Sequence, residues 1–264
     1  MADATIIGWK QYERIGRGYG EQRRADPRLA RAIIEALGDA GSVVNVGAGT
    51  GSYEPAARGT VAVEPAALMI AQRPPNAAPC VRGYAERLPF GDGTFDAGLA
   101  VLTIHHWSDW HAGLRELVRV VRKRVVLSTW DPDCGGFWLM KDYLPSMLEL
   151  DRRRFPTLGA LRAELGDVQV RTVPIPHDCT DGFLGAYWRR PTSFLDPAIR
   201  RGISSFSPDY LDAGLARLAA DLESGAWARK HGHLLEQTQL DIGYRLVVAT
   251  IGGSRAPALP PGAR

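Results

Sequence analysis

The first half of the chain alternates short β-branched runs with stretches whose apolar positions recur every three or four residues. That alternation predicts a parallel sheet with helices on both faces. Leu29, Ile33, Ile34 and Leu37 form one stripe behind the start signal Asp26-Pro27, so Arg28 to Leu37 is predicted as a helix. Gly41-Ser42 breaks it, and Val43 to Val46 reads as a buried strand that runs through a glycine-rich turn into a helix. Thr60 to Glu64 is a second strand, and Ala66 to Gln72 a short helix closed by Pro74-Pro75. Cys80 to Tyr84 is a weak third strand and Phe95 to Leu102 a fourth, followed by a helix from Trp110 to Val121. Arg124 to Trp130 (RVVLSTW) is the clearest strand of all.

The second half is less regular. Leu158 to Leu165 is predicted as a helix, Val168 to Ile175 as a strand with period-two alternation, and Tyr244 to Ile251 as the last strand. About 65 residues separate those two strands, far more than an ordinary connection, and they include a helix over Tyr210 to Leu222. The expected fold is therefore α/β and Rossmann-like, a seven-stranded mostly parallel sheet with helices on both faces and a helical cap inserted near the C-terminus. The expected divisions are an N-terminal segment and first helix over 1–40, an α/β core over 41–176, and a cap or lid over 177–241. The last core strand follows over 242–251, then a Gly/Pro/Ala-rich disordered tail over 252–264.

Composition narrows the class. With 264 residues, 45% of them apolar and 23% charged, the chain is long enough to bury a core without covalent staples. A net charge of +3 is well short of the field of a dedicated nucleic-acid binder. Cys80, Cys134 and Cys179 are odd in number and lack CxxC spacing, against a disulfide framework or a zinc site. No apolar run reaches the ~18 residues of a membrane span, and MADATIIGWKQYERIG lacks a signal-peptide pattern. A cytoplasmic globular protein is the expectation.

The informative segment is VVNVGAGTGSYE, Val43 to Glu54. Gly47, Ala48, Gly49 and Gly51 sit where a buried strand ends, and glycines there let a ligand approach the backbone closely. Glu64 stands at the tip of the next strand, where a carboxylate can accept hydrogen bonds from both hydroxyls of a ribose. Together they point to a nucleoside cofactor; the other reading is a structural turn beside a surface glutamate. The spacing is G-x-G-x-G with Ser52 where the dinucleotide fingerprint has its third glycine, and no Walker lysine follows.

That loop resembles the first motif of the class I S-adenosylmethionine (SAM) dependent methyltransferases. Val61-Ala62-Val63-Glu64-Pro65 resembles the family's ribose-binding second strand, and GYAERLPF, Gly83 to Phe90, its adenine-covering G-D-A-E-x-L-P-F segment. Gly93-Thr94-Phe95-Asp96, the run VLTIHHWSD from Val101 to Asp109, and Leu114-x-Glu116-Leu117-x-Arg119-Val120 continue the likeness in order. The subgroup it resembles is methyltransferase type 11, which includes the quinone-biosynthesis C-methyltransferases. Asn45 and Tyr84 stand where the family usually has Asp. The resemblance implies SAM as cofactor, S-adenosylhomocysteine (SAH) as product, and Pro65, Tyr84, Ala85 and Glu86 beside the glycine loop and Glu64 as its binding residues. In that family a segment like YERIGRGY folds over the cofactor, which adds Tyr12, Arg14 and Tyr19 near the methionine carboxylate.

Methyl transfer from a sulfonium needs the nucleophile held close and water excluded, and a base only if the nucleophile arrives protonated. Catalytic candidates belong at the carboxyl ends of strands four and five. His106 and His105 fall there, as base or as structural donors to loop carbonyls. No metal is expected. Trp130, Trp138 and Tyr143, with Tyr187, Trp188 and Arg189 of the cap, are candidate substrate contacts, with packing of the cap onto the sheet as the alternative. His231 and His233 flank a glycine and are expected to face solvent. The reading is a SAM-dependent methyltransferase acting on a small molecule under a helical cap, without nucleic-acid or membrane partners. An RNA methyltransferase and a non-catalytic SAM-binding protein are the alternatives.

Overall fold

The computed structural model describes residues 23–135, 137–206 and 211–252, together with Gly8, Tyr12 and Gly20. Arg14, Tyr19 and the tail beyond Gly252 lie outside the described residues.

Helix α1 (Pro27–Leu37) forms where the stripe predicts it. The Asp26 side chain caps it by accepting from the Arg28 amide, Pro27 occupies the first turn, and Leu29, Ile33, Ala36 and Leu37 are buried. Strands β1 (Ser42–Val46), β2 (Gly59–Glu64), β3 (Cys80–Arg82), β4 (Phe95–Val101) and β5 (Val121–Trp130) are parallel to one another. Helix α2 (Ala67–Ala71) lies between β2 and β3, and α3 (Trp110–Val120), capped by Asp109, between β4 and β5. Beyond β5 come α4 (Pro145–Arg154), α5 (Leu158–Leu165) and β6 (Val168–Thr172). The two-residue strands β7 (Ile175–Pro176) and β8 (Gln239–Leu240) pair with each other, and β9 (Tyr244–Thr250) closes the chain.

The main sheet is seven-stranded, in the order β3-β2-β1-β4-β5-β9-β6, with β9 antiparallel to both neighbours. Strand order reverses between β1 and β4, and open α/β sheets bind their ligands at the carboxyl ends of such a switch point. One face is covered by α3 and α5 through Leu114, Leu117, Val120 and Leu161. The other is covered by α1 and by the chain between β7 and β8, which includes α6 (Pro197–Arg201), α7 (Asp212–Glu223) and α8 (Ala226–His231). The β7–β8 ribbon ties the two ends of that insertion together.

Three expectations are corrected. The glycine loop does not run into a helix: residues 50–58 are turns and β2 begins at Gly59. Pro55 removes an amide there and the connection is too short for a covering helix. A nearly buried ion pair holds it instead, with Arg73 Nη2 2.6 Å from Glu54 Oε1, the Ala78 amide donating to Glu54 Oε2 at 3.0 Å and Arg73 Nη1 to the Gly49 carbonyl at 3.1 Å. Strand β6 ends at Thr172 and does not reach Ile175, because Pro174 cannot donate to a ladder. The third concerns the cap: a π-helical turn (Leu139–Tyr143) and α4 follow β5, elements whose weak apolar pattern gave no sequence signal. Helix α4 ends on Arg152, Arg153 and Arg154, cations placed where a helix dipole favours them.

Candidate active site

Two cavities meet at the carboxyl ends of β1, β4 and β5. The larger, of about 930 Å³ including its mouth, is lined by the glycine loop (Gly47 to Thr50), Glu64, Pro65, Tyr84 to Glu86 and Leu102 to Ser108 without Ile104 and His105. The second, about 560 Å³, lies beyond it under α4 and the insertion, and is lined by His105, Trp130, Phe137, Asp151, Phe155, Phe183 and Tyr244 among others. Tyr12, Arg23 and Leu102 line both. Leu102 has φ +49°, the non-glycine residue in the left-handed region among the described residues, so backbone strain sits at the junction.

The glycine loop is backbone-built. The Gly47 and Ala48 amides donate to the Val63 carbonyl at 2.8 and 3.1 Å, which folds the loop over the end of β2. Gly47 has φ +71°, and a Cβ there would run into Thr103. Glu64 is buried, and its carboxylate accepts from the Gly49 amide at 2.8 Å and the Ala66 amide at 3.0 Å. These bonds fix its rotamer at the cavity wall. Asn45, at the end of β1, donates to Glu54 Oε1 at 3.4 Å, so it braces the turn that replaces the missing helix. Tyr84 is exposed at the rim and Ala85 buried beneath it. The Glu86 carboxylate accepts from the Ser108 amide at 2.6 Å and the Asp109 amide at 3.1 Å, locking the adjoining loop.

His106 faces the larger cavity, where its Nε2 is 2.9 Å from the Tyr12 hydroxyl. His105 faces the second cavity, sandwiched between His106 and the stacked Phe155 ring at 3.9 Å. Burial, helped by His106 and Arg154, drives the His105 pKa well below the usual histidine range, so its ring is neutral at pH 7. Of the candidate substrate aromatics, Trp130 reaches the second cavity, its Nε1 donating to the Ile242 carbonyl at 2.7 Å. Trp138, Tyr143 and Trp188 are buried in the core away from both cavities: Trp138 donates to the Trp188 carbonyl at 2.8 Å, Trp188 to the Ile175 carbonyl at 2.9 Å, and Tyr143 to Asp221 at 2.7 Å. Tyr187 lies under the Arg190 guanidinium at 4.7 Å, and neither it nor Arg189 lines a cavity. His231, expected at the surface, is buried with its Nε2 2.8 Å from Asp142, because α8 packs its Trp227 face inward.

Sequence reasoning missed Arg23 and Tyr53, and read Asp181, in the cap run Asp181-Gly182-Phe183, as a substrate contact rather than as their partner. The Arg23 guanidinium meets Asp181 at 2.6 and 3.3 Å, and the Tyr53 hydroxyl donates to Asp181 at 2.8 Å. This network clamps the N-terminal approach, the glycine-loop turn and the insertion together from positions 158 and 128 residues apart, a separation no local motif displays. Asp151, Phe155 and Ile203 were missed for the same reason. Among the described residues no group of three or more His, Cys, Asp or Glu is arranged to hold a metal ion, and no helix is long and apolar enough to cross a membrane.

Sheet order, reversed last strand and glycine-loop cleft define the class I methyltransferase architecture. A family described as a methyltransferase domain matches residues 44–129. A solved methyltransferase candidate from an antibiotic biosynthesis pathway of Anabaena variabilis is 35% identical, covering 87% of this chain and 99% of its own, with a TM-score of 0.78. The demethylmenaquinone methyltransferase of Mycolicibacterium gilvum is 36% identical over 128 residues, 45% of this chain and 56% of that relative. The chain thus spans about half the length of that curated relative. A phosphoethanolamine N-methyltransferase of Haemonchus contortus, solved with SAH, shares the fold at 15% identity and a TM-score of 0.51, over 95% of this chain and 58% of its own. The chain belongs to the class I SAM-dependent methyltransferase family.

The residues present fit SAM. The larger cavity is in the range of cofactor sites, its floor is bare glycine backbone where a Cβ would collide with Thr103, and a pinned carboxylate stands at its wall.

Proposed function

We propose that the chain transfers a methyl group from SAM to a small molecule held in the second cavity. The observation that carries this reading is the meeting of the two cavities along Tyr12, Arg23 and Leu102 at the sheet's switch point. When bound, SAM supplies a methyl already activated on a sulfonium. In this reading Glu64 receives the ribose hydroxyls, Gly47, Ala48 and Gly49 allow close approach, and Pro65, Tyr84, Ala85 and Glu86 border the adenine, while Gly51, expected beside them, turns against Glu54 and Arg73 away from the cavity lining. Arg23, the cation among the described lining residues, favours the methionine carboxylate. Trp130, Phe137 and Phe183 exclude water from the acceptor. The chain from 177 to 241 acts as the lid. The Mycolicibacterium relative is named for methylating demethylmenaquinone, which supports a small-molecule acceptor. An RNA acceptor is disfavoured by the +3 net charge and by the aromatic lining of the second cavity, where Arg23 is the cation among the described residues.

Calorimetric titration with SAH tests the reading. Micromolar binding that weakens about 10- to 100-fold in Glu64→Ala is expected, the worth of a hydrogen-bonded carboxylate. No binding by the wild type would sink it.

A further inference from the structure

Building on that methyltransferase reading, we propose that Asp151 is the catalytic base of the second cavity and that its acceptor is a phenolic hydroxyl on a flat apolar ring. Asp151 projects from α4 into the cavity and is 4% exposed. Among the described residues no group donates a hydrogen bond to its carboxyl. A buried carboxyl without a donor is costly to keep, and a ligand proton satisfies it. Of the other polar groups on the wall, Trp130 Nε1 meets the Ile242 carbonyl at 2.7 Å, the Tyr244 hydroxyl the Gly185 amide at 3.2 Å and Arg23 Asp181 at 2.6 Å, while the buried His105 Nδ1, on a neutral ring, is the second group there with no partner among the described residues. The walls themselves are Trp130, Phe155, Phe183 and Tyr244, with Trp130 and Phe155 packed edge to face at 5.6 Å, an aromatic lining suited to an apolar ring.

The charged and titratable groups that face Asp151 come from every side. Arg154 on its own helix pulls its pKa down; His105 after β4, Tyr244 on β9 and the Asp181-bound Arg23 share the cavity wall. Burial outweighs Arg154, and the carboxyl is pushed up to about 7. A base of that strength matches a phenol, whose pKa is about 10, and not an aliphatic alcohol near about 16. A neutral aromatic amine carries a free lone pair and needs no base to attack, so a buried carboxylate is suited to an acceptor that arrives protonated. An anionic acceptor would have to share Arg23, the cation among the described lining residues, with Asp181 and with the methionine carboxylate assigned to it above. In the step, the phenolic oxygen forms its bond to the methyl carbon while the S–C bond breaks with its electron pair left on sulfur. The phenolic proton passes to the Asp151 carboxylate and from there to solvent.

The test uses 1-naphthol, naphthalene, 1-naphthylamine and cyclohexanol as probes. Titrated into the protein alone, the wild type is expected to bind 1-naphthol about tenfold more tightly than naphthalene, and Asp151→Ala to bind the two equally. With SAM present, methyl appears on the naphthol oxygen at a rate that rises with pH through about 7. Asp151→Asn lowers that rate about 10²- to 10⁴-fold and flattens the rise, with SAH affinity unchanged as the sign of an intact fold. Equal binding of 1-naphthol and naphthalene by the wild type, preferential methylation of 1-naphthylamine or cyclohexanol, or an undiminished rate in Asp151→Asn overturns the proposal. The wild-type comparison stands even if a variant fails to fold. A wild type that binds no SAH overturns the methyltransferase reading itself, whereas SAH binding without a naphthol preference removes only the role of Asp151.

Discussion

The two cavities are built by different means. The larger draws its wall from four short runs, around Gly47, Glu64, Ala85 and Thr103, and its decisive contacts are backbone amides and carboxylates fixed to them. The second is assembled from single side chains at Trp130, Asp151, Phe155, Phe183 and Tyr244, brought together only when the insertion closes over the sheet. A cleft made of strand ends is framed by the sheet, with Arg23 and Tyr53 tying one side of it to Asp181 of the insertion. A cavity made under an insertion depends on how that insertion packs, and so can change its ligand without disturbing its neighbour.

The largest expected effect separates the two directly. Trp188 is fully buried, donates to the Ile175 carbonyl and anchors Trp138, so Trp188→Ala is expected to cost about 3–5 kcal/mol of stability by thermal or urea unfolding. The protein that remains folded should keep its SAH affinity; a parallel loss of that affinity would break the distinction between the regions.

Next is the pH dependence of Asp151. Its folded pKa of about 7 lies above the ordinary 3.8, so the native state holds a proton that the unfolded chain releases. The stability this contributes is fully present below about pH 4 and is lost as pH rises through 7. Asp151→Asn removes the ionisation, so its stability relative to wild type should grow by about 2–4 kcal/mol between pH 4 and pH 8. A constant difference across that range would mean the carboxyl is solvated.

The smallest of the three acts on the cleft. Gly47→Ala places a Cβ against Thr103 at a positive φ and is expected to weaken SAH binding about 100-fold, close to 3 kcal/mol. Binding of 1-naphthol should be affected far less, and equal losses for both ligands would show that the cavities share one frame.

How much of this was legible follows from the same contrast. The strands β1, β2, β4, β5 and β9 and helices α1, α3 and α5 stand within about three residues of their predicted bounds, because each carries a strong period, a cap or a breaker. The glycine loop, Glu64 and the Ala85 segment were readable because a cleft at strand ends needs special residues at fixed local spacing. The helix expected after Gly51 was not there, since the reading borrowed the usual βαβ unit and gave too little weight to Pro55. From the end of β5 to the insertion, aromatic residues looked alike in the sequence: Trp130 faces the cavity, while Trp138, Tyr143 and Trp188 are packing.

By itself, then, the sequence determined the α/β sheet and the glycine-loop cleft, through periods, caps and glycine spacings that each occupy a short stretch of chain. Only the tertiary structure decided that Arg23 and Tyr53 meet at Asp181, that His105 and His106 face different cavities, and that Asp151 is buried among aromatic rings. Those facts rest on burial and on contacts between residues more than a hundred positions apart, or on which side of a loop a ring turns. Neither property is carried by residue type or spacing; both arise only when the insertion has found its place on the sheet.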